Sequence, residues 1–197
     1  MNNGILGNTL MSNKSELRKK YIQIRNDISN KQLLASEKNF LSKVEENLEI
    51  FKDKSIACYS SIGKEMRTQG LLDLLLDIGS DVYLPKMKKN SKVLSFIKYE
   101  GVKNTVENNL GIAEPLGNQE IEPEKLNLIF LPCVCFDLAG HRIGMGQGYY
   151  DHSLEFSSSK PELIIIAHEF QKISDCLPDT HDVAADACLT DKKLYKF

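Results

Sequence analysis

The densest cluster of chemically useful residues lies between positions 140 and 151, where the sequence reads GHRIGMGQGYYD. Gly144, Gly146 and Gly148 alternate with other residues. Glycine costs conformational entropy in a helix or strand, so repeated glycines indicate a sharp turn or a ligand that approaches the backbone closely. Backbone N–H groups at the start of a helix suit a phosphate. The spacing G-x-G-x-G matches neither the dinucleotide motif nor the P-loop, so a turn without a ligand is an equal alternative.

The residues that follow the glycines add two further chemical groups. Tyr149 and Tyr150 carry flat rings that suit a heteroaromatic ligand. Asp151 offers an oxygen ligand to Mg²⁺, which commonly binds one or two carboxylates together with substrate phosphates. Ordinary helix packing of the tyrosines and a favourable charge at a helix start are the structural alternatives. The four histidines are too scattered along the chain to indicate a metal site by their spacing.

A basic stripe is predicted near the amino terminus. Asn13 and Glu16 form a capping-box pattern, which predicts a helix that begins there. Residues four and seven positions apart return to nearly the same helix face, so Lys14, Arg18 and Arg25 share one stripe. Such a stripe offers positive charge to an anionic ligand, although a solvated helix face is its usual role.

The composition argues against several classes of protein. The chain has 197 residues, of which 42% are hydrophobic and 26% are charged, so one globular domain is expected. Its 25 basic and 27 acidic residues give a net charge of −2, unlike a general nucleic-acid or membrane binder. Five cysteines without a CxxC pair indicate buried thiols in a reducing compartment. No apolar run could span a bilayer and no secretory signal is evident, so we expect a cytoplasmic protein.

Helix-like and strand-like segments alternate along the chain. Beyond the first helix, the pattern predicts helices over 30–51, 68–79 and 148–157. Short apolar runs predict strands over 55–60, 81–86, 92–99, 126–132 and 162–168. The last two runs are continuously apolar, as is typical of parallel strands covered on both faces. This alternation indicates an α/β sandwich.

Residues 131–154, LPCVCFDLAGHRIGMGQGYYDHSL, closely resemble the signature of the 5-formyltetrahydrofolate cyclo-ligase family, also called 5,10-methenyltetrahydrofolate synthetases. The likeness is specific, because it includes Phe136, Asp137, Gly140 and Arg142 as well as the glycines. It extends over nearly the whole chain. KSELRKKYIQIR resembles the family's opening helix, KEMRT its E-x-x-T segment and HDVAADACLTDKKLY its closing segment.

The resemblance implies a fold and a reaction. The fold is a single-domain three-layer α/β/α sandwich with a mostly parallel central sheet, which spans 14–197 after a flexible tail at 1–13, and a monomer is expected. The reaction converts 5-formyltetrahydrofolate and ATP to 5,10-methenyltetrahydrofolate, ADP and phosphate with Mg²⁺ as cofactor, and it involves no nucleic acid or membrane. The γ-phosphate passes to the formyl oxygen, N10 attacks the activated carbon, and phosphate leaves. Positioning and charge neutralisation carry most of such a transfer.

The resemblance also implies roles for individual residues. The catalytic residues would be Lys14, Arg142 and Tyr149. Those expected to hold Mg²⁺ are Asp151 and Asp182. Those expected to bind ATP are Lys14, Ser15, Glu16, Leu17, Arg18, Arg142, Ile143, Gly144, Met145, Gly146, Gln147, Gly148, Tyr149 and Tyr150. Those expected to bind the folate are Arg18, Ser60, Glu65, Met145, Gly146, Gln147, Gly148 and Tyr149.

Alternatives to these roles and to this function stay open. Without the resemblance, Glu65 reads as an acid that precedes a helix, and Asp182 reads as a turn acid near Pro178. Met145 stands where Tyr or Arg is common in the family and Gln147 where Gly or Lys is common, so neither supplies positive charge to a phosphate. The alternative functions are a non-catalytic nucleotide- or folate-binding regulator, an RNA-associated protein, and an unrelated ATP- or sugar-phosphate-binding enzyme. The balanced charge weighs against RNA.

Overall fold

A computed structural model describes residues 13–154 and 160–197 of the chain. Residues 1–12 lie outside these ranges, so the flexible tail stays a prediction there, whereas Asn13 caps the first helix. No helix within the two described ranges is long and apolar enough to cross a membrane.

The helices begin where the sequence supplies capping groups. The described α-helices are α1 (Lys14–Asp27), α2 (Asn30–Glu45), α3 (Gln69–Asp77) and α4 (Tyr149–Ser153). Short 3₁₀ turns occur at Leu48–Ile50, Val102–Asn104, Pro123–Lys125 and Glu169–Gln171. The predicted capping box is confirmed, because the Asn13 side chain accepts the backbone N–H of Glu16 at 3.0 Å and the Glu16 carboxylate accepts that of Asn13. Ser29 and Gln32 repeat this arrangement at the start of α2.

The strands are mostly short, and most of them belong to one sheet. They are β1 (Ser55–Ala57), β2 (Asp81–Met87), β3 (Leu94–Lys98), β4 (Thr105–Glu107), β5 (Ala113–Pro115), β6 (Glu120–Ile121), β7 (Leu128–Pro132), β8 (Cys135–Phe136), β9 (Arg142–Ile143), β10 (Glu162–Ala167), β11 (Ala187–Thr190) and β12 (Leu194–Lys196). Two separate hairpins pair β4 with β5 and β8 with β9.

The main sheet has eight strands in the order β12–β11–β10–β7–β1–β2–β3–β6. The inner strands β11, β10, β7, β1 and β2 run parallel to one another. The strands β12, β3 and β6, towards the two edges, are antiparallel to their neighbours. The predicted α/β fold with a mostly parallel central sheet is therefore confirmed, and so are parallel strands at 126–132 and 162–168.

Apolar side chains cover both faces of this sheet, as the continuous apolar runs of β7 and β10 require. One face packs against α2 and α3 through a cluster that includes Phe40, Val44, Leu71, Leu75 and Phe130. The opposite face is covered by α4 and irregular segments, through a cluster that includes Ile129, Ile165, Phe136, Leu154 and Tyr195. A third cluster joins α1 to the hairpin of β8 and β9 through Leu17, Tyr21, Cys135, Ile143 and Cys176.

Some predicted boundaries are wrong. The second helix ends at Glu45 rather than near Phe51, because the Asn47 side chain donates to the Lys43 carbonyl at 2.7 Å and a 3₁₀ turn follows. Phe51 still reaches the core, where its ring centroid lies 5.6 Å from that of Phe130. The apolar residues at 48 and 51 therefore reflect a turn that packs on the core, and not a continuation of the helix. Of the helix predicted over 148–157, the described part is α4, and residues 155–159 lie outside the described ranges.

The second strand runs through Pro85 to Met87, one residue beyond its predicted end at residue 86. β1 pairs with β2 only as far as Tyr83, so Pro85 needs no N–H on that side and pairs with Phe96 on β3. Gly79 follows α3 with a φ of +84°, as is common just after a helix, and lies where the sequence predicts this helix to end. All five cysteines are free and buried, as predicted.

Candidate functional site

The glycine-rich segment leaves the sheet through the β8–β9 hairpin, whose turn is fixed by Asp137. The Asp137 carboxylate accepts the backbone N–H groups of Ala139 at 2.9 Å, His141 at 3.1 Å and Cys176 at 2.9 Å. Burial opposes the ionisation of Asp137, but these donors outweigh it and hold its pKa below the ordinary value. Asp137 therefore anchors the turn that precedes Arg142 and the glycines.

The three glycines of the loop have different backbone conformations. Gly146 and Gly148 have φ values of +90° and +71°, which side chains rarely tolerate. A Cβ at Gly148, which precedes α4, would lie 3.1 Å from the His152 ring. Gly144 has no positive φ, and a Cβ there would meet nothing within 4 Å. The turn therefore requires two of the glycines, whereas Gly144 faces open space.

The first helix lies directly against this loop. The Arg18 Nε donates to the Gly144 carbonyl at 2.7 Å, and a Cβ at Gly146 would lie 3.3 Å from the Arg18 Cζ. The structure thus brings together Arg18 and the glycines, which the sequence predicts as parts of one nucleotide site. The positive charge of α1 faces a loop that has no charged side chain between Gly144 and Gly148.

Lys14 links the start of α1 to the segment around residue 180. Its ammonium bonds to the Asp179 carboxylate at 2.6 Å and also to the Asp182 carboxylate. Burial alone would lower the pKa of Lys14, but the two carboxylates raise it above its ordinary value. Burial would likewise raise the pKa of Asp182, yet Lys14 and the Asp179 N–H hold it below the ordinary value. Lys14 is therefore charged and already neutralised by two carboxylates.

Arg142 holds the other side of the same region. Its guanidinium donates to the Asp151 carboxylate at 2.9 Å and to the Val183 carbonyl at 2.8 Å. The Arg142 side chain is almost fully buried, whereas that of Asp151 is one-third exposed. Arg142 thus connects α4 to the 179–183 segment and orients the carboxylate that is predicted to bind a metal.

An open cleft of about 580 Å³ lies between these elements. The residues that line it are Gly148, Asp151, His152, Pro178, Asp179, Thr180, His181 and Asp182. Both predicted metal ligands, Asp151 and Asp182, thus line one cleft. Among residues 13–154 and 160–197, no group of three His, Cys, Asp or Glu side chains could hold an ion alone. Two carboxylates fit Mg²⁺ that takes its other ligands from phosphates and water.

Glu65 occupies a buried turn between β1 and α3. Its carboxylate accepts the backbone N–H of Ile62 at 3.1 Å. The turn is closed by Thr68, whose hydroxyl donates to the Tyr59 carbonyl at 2.6 Å and accepts the N–H of Ser61 at 3.1 Å. Burial raises the pKa of Glu65 above its ordinary value, although Arg25 and the Ile62 N–H oppose that rise. Glu65 is therefore a desolvated carboxylate at the carboxyl end of a parallel strand.

The burial of Arg25 is not predicted from the sequence. Arg25 shares the stripe of Lys14 and Arg18, but it is only 5% exposed and is not part of a solvated face. Its Nη1 lies 3.3 Å from the Glu65 Oε1 and 3.4 Å from the Cys133 carbonyl oxygen, and its Nη2 lies 3.9 Å from the Met145 Sδ. The spacing from Arg18 to Arg25 correctly predicts one helix face, but nothing local reveals that this face turns inward after two turns.

The two tyrosines of the loop pack on the core face that carries Leu154. The Tyr150 hydroxyl is buried without a hydrogen-bond partner in the described part of the chain. Burial raises the pKa of Tyr150 well above its ordinary value, although Arg142 opposes the rise. Tyr149 is half-buried, and its carbonyl accepts the Ser153 hydroxyl at 2.7 Å.

The remaining predicted site residues lie at varied positions. Met145 and Gln147 are exposed on the loop. Ser60 is half-buried and lies three residues after the end of β1. Ser15 and Glu16 are exposed on the first turn of α1. The side chains of Leu17 and Ile143 pack into the cluster under α1, so only their backbone groups are available to a ligand. Asp179, which pairs with Lys14, is not predicted from the sequence, because an acid beside Pro178 has no distinctive local pattern.

The sequence of the chain is similar to that of one family of known proteins. Residues 10–191 match the 5-formyltetrahydrofolate cyclo-ligase family. The chain is 30% identical over 172 residues to the 5-formyltetrahydrofolate cyclo-ligase of Haemophilus influenzae, a match that covers 85% of this chain and 91% of that protein. It is 31% identical over 147 residues to the same enzyme of Escherichia coli K12, covering 73% and 81% of the two chains.

Solved structures give the same result. The 5,10-methenyltetrahydrofolate synthetase of Aquifex aeolicus superposes with a TM-score of 0.81 at 29% identity, covering 93% of this chain and 92% of that one. The synthetase of Mycoplasma pneumoniae superposes with a TM-score of 0.73 at 26% identity, covering 91% and 99%. The sequence match, the shared fold and the glycine-loop motif agree, and the chain therefore belongs to the 5-formyltetrahydrofolate cyclo-ligase family of enzymes.

Proposed function

We propose that this chain converts 5-formyltetrahydrofolate to 5,10-methenyltetrahydrofolate in a reaction that consumes ATP and requires Mg²⁺. One observation carries the proposal beyond family membership. The glycine loop, with φ values of +90° and +71° at Gly146 and Gly148, lies between a cleft with two carboxylates and a buried carboxylate at Glu65. A triphosphate on the loop would therefore have a cation site on one side and a folate site on the other.

The nucleotide end of the site rests on α1 and the loop. Arg18 already contacts the Gly144 carbonyl, so its guanidinium lies where phosphates on the loop would need positive charge. Backbone N–H groups at the start of α4 add to this attraction. Met145 and Gln147 supply no charge, so Lys14, Arg18 and Arg142 provide the positive side chains of the proposed phosphate site.

The cations and carboxylates around the cleft are paired with each other. Lys14 binds Asp182, and Arg142 binds Asp151. We propose that these pairs exchange partners when Mg²⁺ and ATP bind. Asp151 and Asp182 would then hold the ion, which neutralises phosphate charge, while Lys14 and Arg142 would turn to the phosphates. Such an exchange keeps every charge compensated both with and without ligand.

The folate end of the site rests on Glu65 and Tyr149. Glu65, as a desolvated carboxylate, is suited to accept hydrogen bonds from the N–H groups of a pterin, since a charged acceptor in a dry environment bonds strongly. Tyr149 lies beside the glycines at the start of α4, where its ring can pack on the folate. These contacts would bring the formyl group next to the phosphate loop.

The proposed reaction has two steps, phosphoryl transfer and ring closure. The γ-phosphoryl group leaves ADP and bonds to the formyl oxygen. N10 then bonds to the formyl carbon and loses its proton to solvent, while the C–O bond breaks and phosphate departs. The residues of the chain hold both substrates in line and neutralise charge on the transferred group, which is the main task in such transfers.

Isothermal titration with two ligands tests the proposal. Wild-type protein is expected to bind both Mg-ATP and 5-formyltetrahydrofolate. Glu65→Gln is expected to weaken folate binding and to leave ATP binding intact. Loss of both affinities to the same degree would mean that Glu65 only supports the fold. Binding of ATP without any folate binding in wild type would favour a nucleotide-binding regulator built on the same fold.

A further inference from the structure

We propose that Arg25 is the positioning residue of the folate site, and that it acts by orienting Glu65 and keeping its carboxylate ionised. This inference rests on the proposed function, because it assigns Arg25 to the same folate site. Arg25 does not need to touch either substrate. Its guanidinium contacts Glu65 on one side and Met145 of the glycine loop on the other. Arg25 therefore also links Glu65, the proposed folate ligand, to the proposed nucleotide loop.

The contacts of Arg25 show that this ion pair is not optimised for stability. Its hydrogen bonds to Glu65 and to the Cys133 carbonyl are long, at 3.3 and 3.4 Å. A thioether at 3.9 Å is a weak acceptor for its Nη2. Its Nε is buried without a partner among the described residues. A buried arginine with so few good acceptors is poorly explained by folding alone, because buried donors are normally satisfied.

Arg25 is also the cation that faces Glu65. The titratable groups around this carboxylate are Arg25 from α1, Tyr59 beyond β1, Cys133 beyond β7 and Tyr150 from α4. Burial raises the pKa values of the last three, so these groups are neutral near pH 7. The charge of Arg25 therefore opposes the desolvation of Glu65 directly, and the N–H of Ile62 adds to it.

The test compares Arg25→Met, which removes the charge, with Arg25→Lys, which keeps it. The matched control is Arg67→Met, because Arg67 pairs with Glu37 at 3.1 Å and not with Glu65. The carboxyl ¹³C signal of Glu65 is titrated by NMR without ligand, and the dissociation constant for 5-formyltetrahydrofolate is measured across pH. In Arg25→Met, the Glu65 titration is expected to move to higher pH by about 1–3 units. Folate affinity should then fall about tenfold for each pH unit below the new midpoint.

Arg25→Lys should keep the titration and the affinity profile near those of wild type, and Arg67→Met should leave both unchanged. If Arg25→Met does not fold, Arg25→Gln removes the charge and keeps hydrogen-bond donors. A lower melting temperature with an unmoved Glu65 titration would overturn the inference, because it would show a structural role only. If wild type bound no folate, the proposed function and the folate role of Arg25 would both fail, although the ligand-free titration would still stand. If wild type binds folate but the Glu65 titration in Arg25→Met stays where it is in wild type, the role of Arg25 fails and the proposed function stands.

Discussion

A methyl group would meet different surroundings at Gly144 and Gly146, and this difference separates fold from function. Gly144→Ala places the methyl group in open space without a positive φ, so the free energy of unfolding should not change. If phosphates approach this backbone, the ATP affinity should nevertheless fall. Gly146→Ala should lower both the free energy of unfolding and the ATP affinity. The stability falls because alanine costs about 1–2 kcal/mol in the left-handed region. Thermal melts and ATP titrations measure the two effects.

Unchanged ATP affinity in both glycine variants would show that the loop is a turn that binds no phosphate. A loss of stability in Gly144→Ala would show instead that Gly144 also serves the fold. Gly148→Ala is less informative, since its methyl group would lie against the His152 ring as well as adopt a φ of +71°.

Asp137 should matter for stability in a pH-dependent way. Asp137→Asn turns an amide donor towards one of the three backbone N–H groups and should cost about 1–3 kcal/mol at pH 7. The pKa of Asp137 is lowered in the folded protein, so its stabilisation is present above the ordinary value of about 3.9 and is lost as pH falls through the folded pKa. Urea unfolding should therefore show the two proteins converging below about pH 4. A constant difference at every pH would contradict this role.

At the scale of elements, α1 is expected to serve binding more than folding. Lys14→Ala and Arg18→Ala should each weaken ATP binding, because both side chains point to the loop and cleft region. The free energy of unfolding should change by about 0–1 kcal/mol, since partly exposed ion pairs contribute little. Titration with ATP and urea unfolding measure these effects.

Lys19→Ala is the matched control on the same helix, because Lys19 is exposed and lies about 100° around the helix from Arg18. Equal effects of all three variants on ATP affinity would indicate general charge attraction and not a specific site. Unfolding of Lys14→Ala would show that its bonds to Asp179 and Asp182 hold the segment in place.

The sequence predicts elements well where periodicity and capping agree, as in α1 and its capping box. It fails where a turn is buried, because Leu48 and Phe51 repeat at helical spacing although α2 has already ended. It also misses the environment of Arg25. Burial of one arginine depends on how α1 leans on the β8–β9 hairpin, and no local pattern encodes that angle.

At the scale of the whole molecule, the proposed site lies where the parallel strands end. β1 leads to the turn with Glu65, and β7 leads to Cys133 and the glycine hairpin, so the crevice between their carboxyl ends is the expected ligand site of such a sheet. The sequence predicts the two strands and the glycine loop, but their adjacency comes from strand order.

The use of ATP to cyclise a formylated folate can be tested directly by following the reaction. Purified protein is mixed with 5-formyltetrahydrofolate, ATP and Mg²⁺, and the absorption of the methenyl product is followed. We expect product only when ATP and Mg²⁺ are both present. Formation should be much slower in Asp151→Asn, which removes a carboxylate charge without changing the side-chain shape. Product at the same rate without ATP, or no product from folded protein that binds ATP, would contradict the proposed function.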